Sequence, residues 1–124
     1  MGQAMVVDDS RAVRMLLSRI LRDLGFEVAE AASGVEALER LKQLSGSVNL
    51  ILTDWNMPEM NGLELLKKIR DQHEFDKVPV VMVTTETEME QMVTALEAGA
   101  NEYVMKPFTA DIIADKLRIA GIAV

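Results

Sequence analysis

Residues 48–66 have the sequence VNLILTDWNMPEMNGLELL, in which an apolar run leads through an acidic residue into a loop containing proline and glycine. The run from Val48 to Thr53 is continuously apolar at its centre, which is typical of a strand buried on both faces of a sheet. After the loop, apolar side chains recur at helical spacing, at Leu65, Leu66 and Ile69. The stretch therefore predicts a buried strand that ends at Asp54, followed by an amphipathic helix.

The same alternation of an apolar run with a helical stripe occurs five times along the chain. The other runs are Ala4 to Val7, Phe26 to Ala31, Val78 to Val83 and Tyr103 to Met105. The other stripes are Val13, Leu16, Leu17, Ile20, Leu21 and Leu24; Leu38 and Leu41; Met89, Met92, Val93 and Leu96; and Ile112, Ile113 and Leu117. Five strand–helix units with short connections indicate parallel strands joined by right-handed crossovers.

Residues that start and stop helices separate these units. The predicted capping residues are Ser33 with Glu36, Thr87 with Glu90, and Thr109. Gly25 and Gly99 are predicted to end the first and fourth helices, because glycine readily adopts the left-handed conformation that follows a helix. Residues 45–47, with the sequence SGS, are predicted to form a loop.

The predicted fold is an α/β domain with five parallel strands in the order 2-1-3-4-5 and five helices on both faces, a doubly wound, flavodoxin-like arrangement. The second run alternates with Glu27 and Glu30 as an edge strand does, whereas the first, third and fourth are apolar throughout. A chain of 124 residues is large enough for one core, so we expect a single domain over residues 1–124. In such a sheet the ligand crevice lies at the carboxyl ends of the first and third strands.

The composition excludes several classes of partner. A formal net charge of -7 argues against nucleic acid and anionic membranes, which require clustered Lys and Arg. The absence of Cys excludes disulfides and thiolate catalysis. No apolar segment approaches the roughly 20 residues that span a bilayer, and no signal peptide is recognisable. We therefore expect a soluble, cytoplasmic protein.

Polar residues follow four of the predicted strands at their carboxyl ends. Asp8 and Asp9 follow the first strand, Asp54 the third, Thr84 the fourth and Lys106 the fifth. Carboxylates that converge in one cleft repel one another, so they either raise a pKa or bind a cation. Because these are oxygen ligands without His or Cys nearby, they favour Mg²⁺ over Zn²⁺.

Such a site suits transfer of a phosphoryl group to a carboxylate. A bound Mg²⁺ would neutralise the incoming group, so that a carboxylate could attack it and become an acyl phosphate. Asp54 is the predicted nucleophile, Lys106 a second cationic contact, and the Thr84 hydroxyl a donor to a phosphoryl oxygen.

Each of these residues also has a simpler structural interpretation. Asp9 or Ser10 could cap the first helix, and Asp54 could merely terminate its strand. Thr84 could be a turn residue and Lys106 a solvated surface lysine. Their joint placement at the edge of the sheet that faces the crevice favours the functional interpretation.

Together these residues resemble the receiver domains of response regulators, and the resemblance covers essentially the whole chain. The matching residues are the acidic pair Asp8-Asp9, the phosphoacceptor Asp54, the switch hydroxyl of Thr84, and Lys106 followed by a cis-proline, Pro107. By this resemblance Asp9, Asp54 and the main-chain carbonyl of Asn56 are expected to ligate Mg²⁺ directly. Asp8 is expected to act through water.

Within the family, the chain resembles the stand-alone chemotaxis regulators. The matching segments are DWNMP at 54–58, GLELL at 62–66, Tyr103, and KPFT at 106–109. The resemblance implies a monomer without an attached output domain, phosphorylated by a histidine kinase or a histidine phosphotransfer domain. Its downstream partner could be the flagellar motor switch, whereas a phosphorelay intermediate or a regulator of another pathway would carry nearly the same residues.

Tyr103 has two interpretations. In the family, an aromatic residue at this position moves inward as the switch hydroxyl, here that of Thr84, closes on the phosphoryl group. The output surface is then the fourth helix, the fifth strand and the fifth helix. Without the resemblance, Tyr103 is better explained as an exposed aromatic on an edge strand.

Three residues are expected to tune the lifetime of the acyl phosphate. Asn56 and Glu86 lie two residues beyond Asp54 and Thr84, at positions that control the access of water in the family. Chemotaxis regulators carry this pair, which implies a short lifetime. Thr85 is bulkier than the residue usual there in these regulators, so it could hinder water, phosphodonors or both.

Other classes of protein fit less well. A hydrolase with an aspartyl nucleophile would carry its nucleophile and acid two residues apart on the first strand, whereas Asp8 and Asp9 are adjacent. A module of the same fold that is never phosphorylated would not need the complete set of site residues. A nucleotide or flavin site would need a glycine-rich loop after the first strand. The protein is therefore expected to assist only its own phosphorylation and dephosphorylation.

The nine Met residues and the single His are expected to have structural roles. Because aromatic residues are scarce, most Met side chains are predicted to fill the core, Met89 and Met92 among them, although Met also suits adaptable binding surfaces. His73 follows a polar helical segment and is predicted to be a surface residue.

Overall fold

A computed structural model describes residues 2–44, 46–85 and 89–124. The strands are β1 Gln3–Val7, β2 Glu27–Ala31, β3 Val48–Thr53, β4 Val80–Thr84 and β5 Glu102–Met105. The helices are α1 Arg11–Asp23, α2 Gly34–Gln43, α3 Gly62–Arg70, α4 Met89–Glu97 and α5 Ala110–Ile119, with a short 3₁₀ helix His73–Phe75 before β4. All strands are parallel in the order β2-β1-β3-β4-β5, which confirms the predicted fold and strand order.

Successive side chains of each strand point to opposite faces of the sheet and so build two cores. One core includes Met5, Val7, Ile51 and Met82 of the strands with Leu41, Leu65, Leu66 and Ile69 of the helices. The other includes Ala4, Val6, Leu50, Leu52 and Val83 of the strands with Leu17, Leu21, Ile113 and Leu117 of the helices. Helices α1 and α5 therefore cover one face, and α2, α3 and α4 the other. Each fully buried aliphatic side chain stabilises the fold by about 1.5–3 kcal/mol.

Side-chain caps hold the amino ends of four helices. Main-chain N–H groups of Val13, Glu36, Glu64 and Ile112 donate to the side chains of Ser10, Ser33, Asn61 and Thr109, respectively. In the predicted capping box of α2, the Ser33 hydroxyl accepts from Glu36 N–H, as expected. The Glu36 carboxylate accepts from Ala32 N–H at 3.4 Å instead of from Ser33 N–H, so the box is only half formed. The complete box belongs to α3, where Asn61 and Glu64 each accept from the other's main-chain N–H. Thr87, the other predicted box residue, lies outside the described residues.

Helix α4 contradicts the predicted core face. Met89 is 73% exposed, and Val93 and Leu96 are also exposed, so the prediction that Met89 fills the core is wrong. Met92 is half-buried against the core. Within Met89–Glu97 the fully buried residue is Ala95, whose small side chain lets the helix lie close to the sheet. The apolar stripe of α4 is therefore mostly a surface feature.

Two smaller differences concern α1 and β4. Leu16, predicted to belong to the buried stripe of α1, is exposed at the margin of that stripe. Strand β4 begins at Val80 rather than at the predicted Val78, since Pro79 has no N–H to donate to a neighbouring strand. The carbonyl of Pro79 nevertheless accepts from Ile51 N–H at 2.9 Å.

The α-helices are short, ranging from nine to 13 described residues. Across the described residues, none of them has the length together with the apolar character that crossing a membrane requires.

Candidate functional site

The carboxyl ends of the strands meet at one edge of the sheet and bring the predicted site residues together. Val7 of β1 pairs with Thr53 of β3, so Asp8 and Asp54 leave neighbouring strands at the same level. Lys106 follows β5, and its main-chain N–H donates to the last carbonyl of β4 at 2.9 Å. The crevice therefore lies where the strand order predicts it.

Asp8, Asp9 and Asp54 form an acidic cluster, in which one carboxylate oxygen from each lies within 4.8 Å of the others. Asp8 and Asp54 are buried, whereas Asp9 is exposed. Two negative charges about 4 Å apart repel by about 4 kcal/mol at the effective dielectric constant near a protein surface. A hard divalent cation relieves this repulsion, and the exposed side of the cluster leaves room for the waters that Mg²⁺ retains. The chemistry of the three ligands therefore fits Mg²⁺.

Lys106 is the cation that contacts the cluster. Its Nζ lies 3.0 Å from Asp8 Oδ2 and 3.2 Å from Asp54 Oδ2, so one ammonium joins the ends of β1, β3 and β5. Burial opposes the charge of Lys106, but the hydrogen bond to Asp8 and the charges of Asp54 and Asp8 outweigh burial and raise its pKa. Lys106 is therefore a fixed positive group rather than the solvated lysine of the simpler interpretation. The peptide bond from Lys106 to Pro107 is cis, as the resemblance predicts.

Asp8 is the most buried residue of the cluster. Burial raises the pKa of its carboxyl group, while the N–H of Ser10, which donates to Oδ1 at 2.8 Å, and Lys106 act in the opposite direction. The net direction is upward, so ionised Asp8 is a destabilised group in the metal-free protein. A cation in the crevice would remove that penalty.

The loop after β3 orients Asp54. Its Oδ1 accepts from Trp55 N–H at 2.7 Å and from Asn56 N–H at 3.4 Å, which holds the carboxylate against the start of the loop. The N–H of Gly62 donates to the Trp55 carbonyl at 2.8 Å and closes the loop onto α3. A Cβ at position 62 would collide with the Asp54 carbonyl oxygen, so this close approach requires glycine. The role of the Asn56 carbonyl as a metal ligand stays a prediction.

Thr84 and Tyr103 are both buried. Thr84 ends β4, and Tyr103 of β5 is 3% exposed and belongs to the core that contains Met82 and Ala95. The interpretation of Tyr103 as an exposed aromatic on an edge strand is therefore wrong. An aromatic that packs inward at this position is compatible with the switch that the resemblance implies.

Thr85 lies beside the site, at an apolar cleft. The cleft has a volume of about 330 Å³ and is lined by Val13, Leu16, Thr85, Lys106, Pro107 and Phe108. Thr85 is exposed and shares the lining of this cleft with Lys106, and its effect on access to Asp54 stays a prediction. Glu86, the other predicted tuning residue of this segment, lies outside the described residues.

Two simpler interpretations can be compared with the contacts. Of the two residues proposed as the cap of α1, Ser10 caps the helix and Asp9 does not. His73 is almost fully exposed and lies 3.3 Å from Asp76, in agreement with its prediction as a surface residue.

Sequence reasoning missed two residues that shape the site. Gly62 could have been found, because Asn61 and Glu64 around it have the spacing of a capping box. Arg14 donates from Nη1 to the Asp8 carbonyl at 2.7 Å, and no local spacing rule connects residues six positions apart across a turn.

Parallel strands whose carboxyl ends carry an acidic cluster and a fixed lysine define a doubly wound α/β protein with a crevice suited to Mg²⁺ and phosphate. A family model described as the response regulator receiver domain matches residues 4–118. The chain therefore belongs to the response regulator receiver domain family.

Curated relatives are similar over nearly the whole chain. The chain is 46% identical over 116 residues to the chemotaxis protein CheY1 of Helicobacter pylori, covering 93% of each. It is 46% identical over 114 residues to a chemotaxis protein CheY homolog of Campylobacter jejuni, covering 91% of this chain and 87% of that protein. Among solved structures, the chemotaxis response regulator CheY4 of Vibrio cholerae superposes with a TM-score of 0.89 at 35% identity, covering 97% of this chain and 98% of that one.

Proposed function

We propose that the protein is a phosphorylation-dependent signalling switch of a two-component system that accepts a phosphoryl group on Asp54. The observation that carries the proposal is the position of Asp54, which contacts Lys106 at 3.2 Å and shares an acidic cluster with Asp8 and Asp9. A carboxylate so placed has a cation on one side and a metal-binding group on the other.

The proposed reaction moves a phosphoryl group from a phosphohistidine of a histidine kinase or a histidine phosphotransfer domain. An oxygen of Asp54 forms a bond to phosphorus while the bond from phosphorus to the imidazole nitrogen breaks, and the histidine leaves. Lys106 stabilises the negative charge on the phosphoryl oxygens. Mg²⁺, when bound, neutralises charge on the same group, and Asp9, Asp54 and the Asn56 carbonyl would hold it, with Asp8 acting through water.

The proposed response occurs on the surface formed by α4, β5 and α5. Thr84 would donate its hydroxyl hydrogen bond to the phosphoryl group, and Tyr103 would adjust its packing behind it. Exposed apolar side chains support this surface as a contact site. They belong to Met89, Val93 and Leu96 of α4 and to Met105 of β5. Exposed Met side chains suit a surface that adapts to a partner. A separate downstream protein would bind there.

The proposed pathway is chemotaxis, and the names of the relatives support it. The flagellar motor switch is then the downstream partner, while a phosphorelay intermediate is the alternative. Binding of the phosphorylated protein to a motor-switch peptide and to a histidine phosphotransfer domain can be compared by fluorescence anisotropy. Phosphorylation-dependent binding of the peptide alone is expected, and binding of the phosphotransfer domain alone would contradict the chemotaxis assignment.

Incubation with acetyl phosphate and Mg²⁺, followed by intact mass measurement, tests the phosphoacceptor. We expect a gain of one phosphoryl group that requires Mg²⁺ and is lost in Asp54→Asn. Asp115→Asn, which changes an exposed carboxylate of α5, serves as the control and should be labelled like the wild type. An unchanged mass at every time point, together with turnover of small phosphoesters, would instead identify a hydrolase. An unchanged mass without turnover would identify an unphosphorylated interaction module.

A further inference from the structure

The turn between β1 and α1 carries the acidic pair, and besides the contact with Lys106 three hydrogen bonds hold its first residue. Asp8 N–H donates to the Ala31 carbonyl at 3.2 Å, and Asp8 Oδ1 accepts from Ser10 N–H at 2.8 Å. The Asp8 carbonyl accepts from Arg14 Nη1 at 2.7 Å. The last of these is a short, charge-assisted bond, the stronger kind of protein hydrogen bond.

Arg14 is itself held in place. Its Nε lies 3.4 Å from Glu30 Oε1, and its side chain is only 16% exposed. The guanidinium therefore spans from α1 to β2 while one of its nitrogens holds the turn. Because the fork of a guanidinium is rigid, fixing one nitrogen on Glu30 also fixes the direction of the others.

Asp9 depends on that turn for its orientation. Among the residues that the structure describes, none donates a hydrogen bond to the Asp9 carboxylate. The Asp8 carbonyl belongs to the peptide plane that joins Asp8 to Asp9, so its direction sets the orientation of the Asp9 main chain. The bond from Arg14 therefore acts on the peptide that aims Asp9 into the cluster.

We infer that Arg14 is a positioning residue for metal binding, acting through the Asp8–Asp9 peptide to aim the Asp9 carboxylate. The inference rests on the proposed function, since the Mg²⁺ site is part of it. Groups that orient metal ligands from behind commonly contribute about 10-fold to metal affinity. Glu30 supports Arg14 in this role.

Charge alone predicts the opposite effect. The positive guanidinium lies close to the acidic cluster and repels a cation, so its removal would tighten Mg²⁺ binding if electrostatics alone mattered. Positioning predicts weaker binding on the same substitution. The sign of the change therefore separates the two explanations.

The test is a titration with MgCl₂ in which Mg²⁺ binding is measured by isothermal titration calorimetry and, independently, by the fluorescence of Trp55. We expect Arg14→Met to weaken Mg²⁺ binding about 10-fold, and Arg14→Lys, which keeps a charged donor but loses the rigid guanidinium fork, to recover only part of the affinity. The matched control is Arg22→Met, because Arg22 also lies near Glu30, at 3.9 Å, but is 56% exposed and does not contact the turn. That variant should bind Mg²⁺ like the wild type.

Unchanged or tighter Mg²⁺ binding by Arg14→Met would overturn the inference, and so would equal losses in Arg14→Met and Arg22→Met. If Arg14→Met does not fold, Arg14→Gln removes the charge and shortens the donor, and the same outcomes decide. A wild-type protein that neither binds Mg²⁺ nor gains a phosphoryl group would contradict the proposed function itself. If the wild type binds Mg²⁺ and the Arg14 variant binds it with the same affinity, only the positioning role is contradicted.

Discussion

Lys106 joins two carboxylates that are 46 positions apart in the chain, and this contact offsets part of the repulsion between them. Breaking a buried ion pair commonly costs about 3–5 kcal/mol, because a charge is left without a partner. The cluster nevertheless contains three carboxylates, of which Lys106 contacts two, so it retains negative charge. The residual charge is available to attract a divalent cation.

The raised pKa of Asp8 predicts that replacing its carboxyl group by a neutral amide changes the stability of the protein in a pH-dependent way. Because its pKa in the folded, metal-free protein lies above the unfolded value of 3.8, the folded state binds more protons, and stability falls as pH rises through that window. In EDTA, Asp8→Asn should therefore be more stable relative to the wild type near about pH 7 than near about pH 4. Urea unfolding at both pH values measures the difference.

The control for this prediction is Asp115→Asn, which changes an exposed carboxylate on α5. Its stability relative to the wild type should change less between the two pH values than that of Asp8→Asn, because an exposed ion pair contributes little. An Asp8→Asn variant that loses its relative stability as pH rises would contradict the prediction.

At the scale of single residues, the sequence predicts the charged residues of the site better than the residues that hold them in position. Asp8, Asp9, Asp54 and Lys106 could be predicted because each follows a recognisable strand. Arg14 could not, because its contact depends on how the first turn of α1 faces the end of β1. Side chains that act on main-chain carbonyls leave no pattern in a single sequence.

Helix α3 begins where the loop of Asp54 ends, and Gly62 at that point predicts a position-specific effect. Gly62→Ala should destabilise the protein by about 1–3 kcal/mol, since the new Cβ meets the Asp54 carbonyl, a main-chain group that cannot move freely. Thermal and urea unfolding measure the loss. Phosphorylation by acetyl phosphate should also slow, because the displaced carbonyl belongs to Asp54, the proposed phosphoacceptor.

Gly34→Ala is the matched control, because Gly34 also occupies the first position of a helix. Its added Cβ would meet the Met60 side chain, which is flexible and can move away. We expect a much smaller change in stability and an unchanged phosphorylation rate. Equal effects of the two substitutions would show that the contact with Asp54 is unimportant.

At the scale of elements, strands were easier to predict than helix faces. The bounds of β3 were predicted to the residue, because a continuous apolar run leaves little choice of register. The face of α4 was predicted wrongly, since a stripe of large apolar residues indicates burial only where a sheet lies beneath it. Here Ala95 faces the sheet, and a single small residue gives no signal that distinguishes it from its neighbours.

Across the molecule, Arg70 ties together three segments at the edge of the sheet opposite the crevice. Its Nε and Nη2 donate to the Gly99 carbonyl at 3.1 and 2.9 Å, and Nη1 donates to the Phe75 carbonyl at 2.8 Å. Nη2 also donates to Asn101 Oδ1, which in turn accepts from Val80 N–H. Burial lowers the pKa of this guanidinium, so it is partly withdrawn from water.

Arg70→Met should therefore lower the free energy of unfolding by about 3 kcal/mol, because it leaves main-chain carbonyls without their charged donor. Arg118→Met is the control, since the ion pair of Arg118 with Asp115 is exposed and should contribute about 0.2–1 kcal/mol at most. Urea unfolding compares the two variants. Losses of the same size would contradict the role of Arg70 as a tie between segments.

The whole-molecule architecture was the most predictable feature. Five repeats of strand and helix with right-handed crossovers restrict the possible topologies, and the edge-like second strand with the buried first, third and fourth strands matches the observed order. The tie made by Arg70 joins residues 29 and 31 positions apart and could not be derived, because such contacts depend on the final packing of loops.

Because its inward contact is mainly one alanine and part of Met92, helix α4 is weakly bound to the body of the domain. Removing a methyl group's worth of apolar contact costs about 0.8 kcal/mol, which is less than a single charge-assisted hydrogen bond contributes. In the proposed switch, a hydrogen bond to the phosphoryl group is comparable in free energy to the contact that Ala95 makes, so α4 is the element expected to move while both cores stay intact. The proposed signal would then change the surface that the domain offers to a partner at a cost well below the free energy of unfolding.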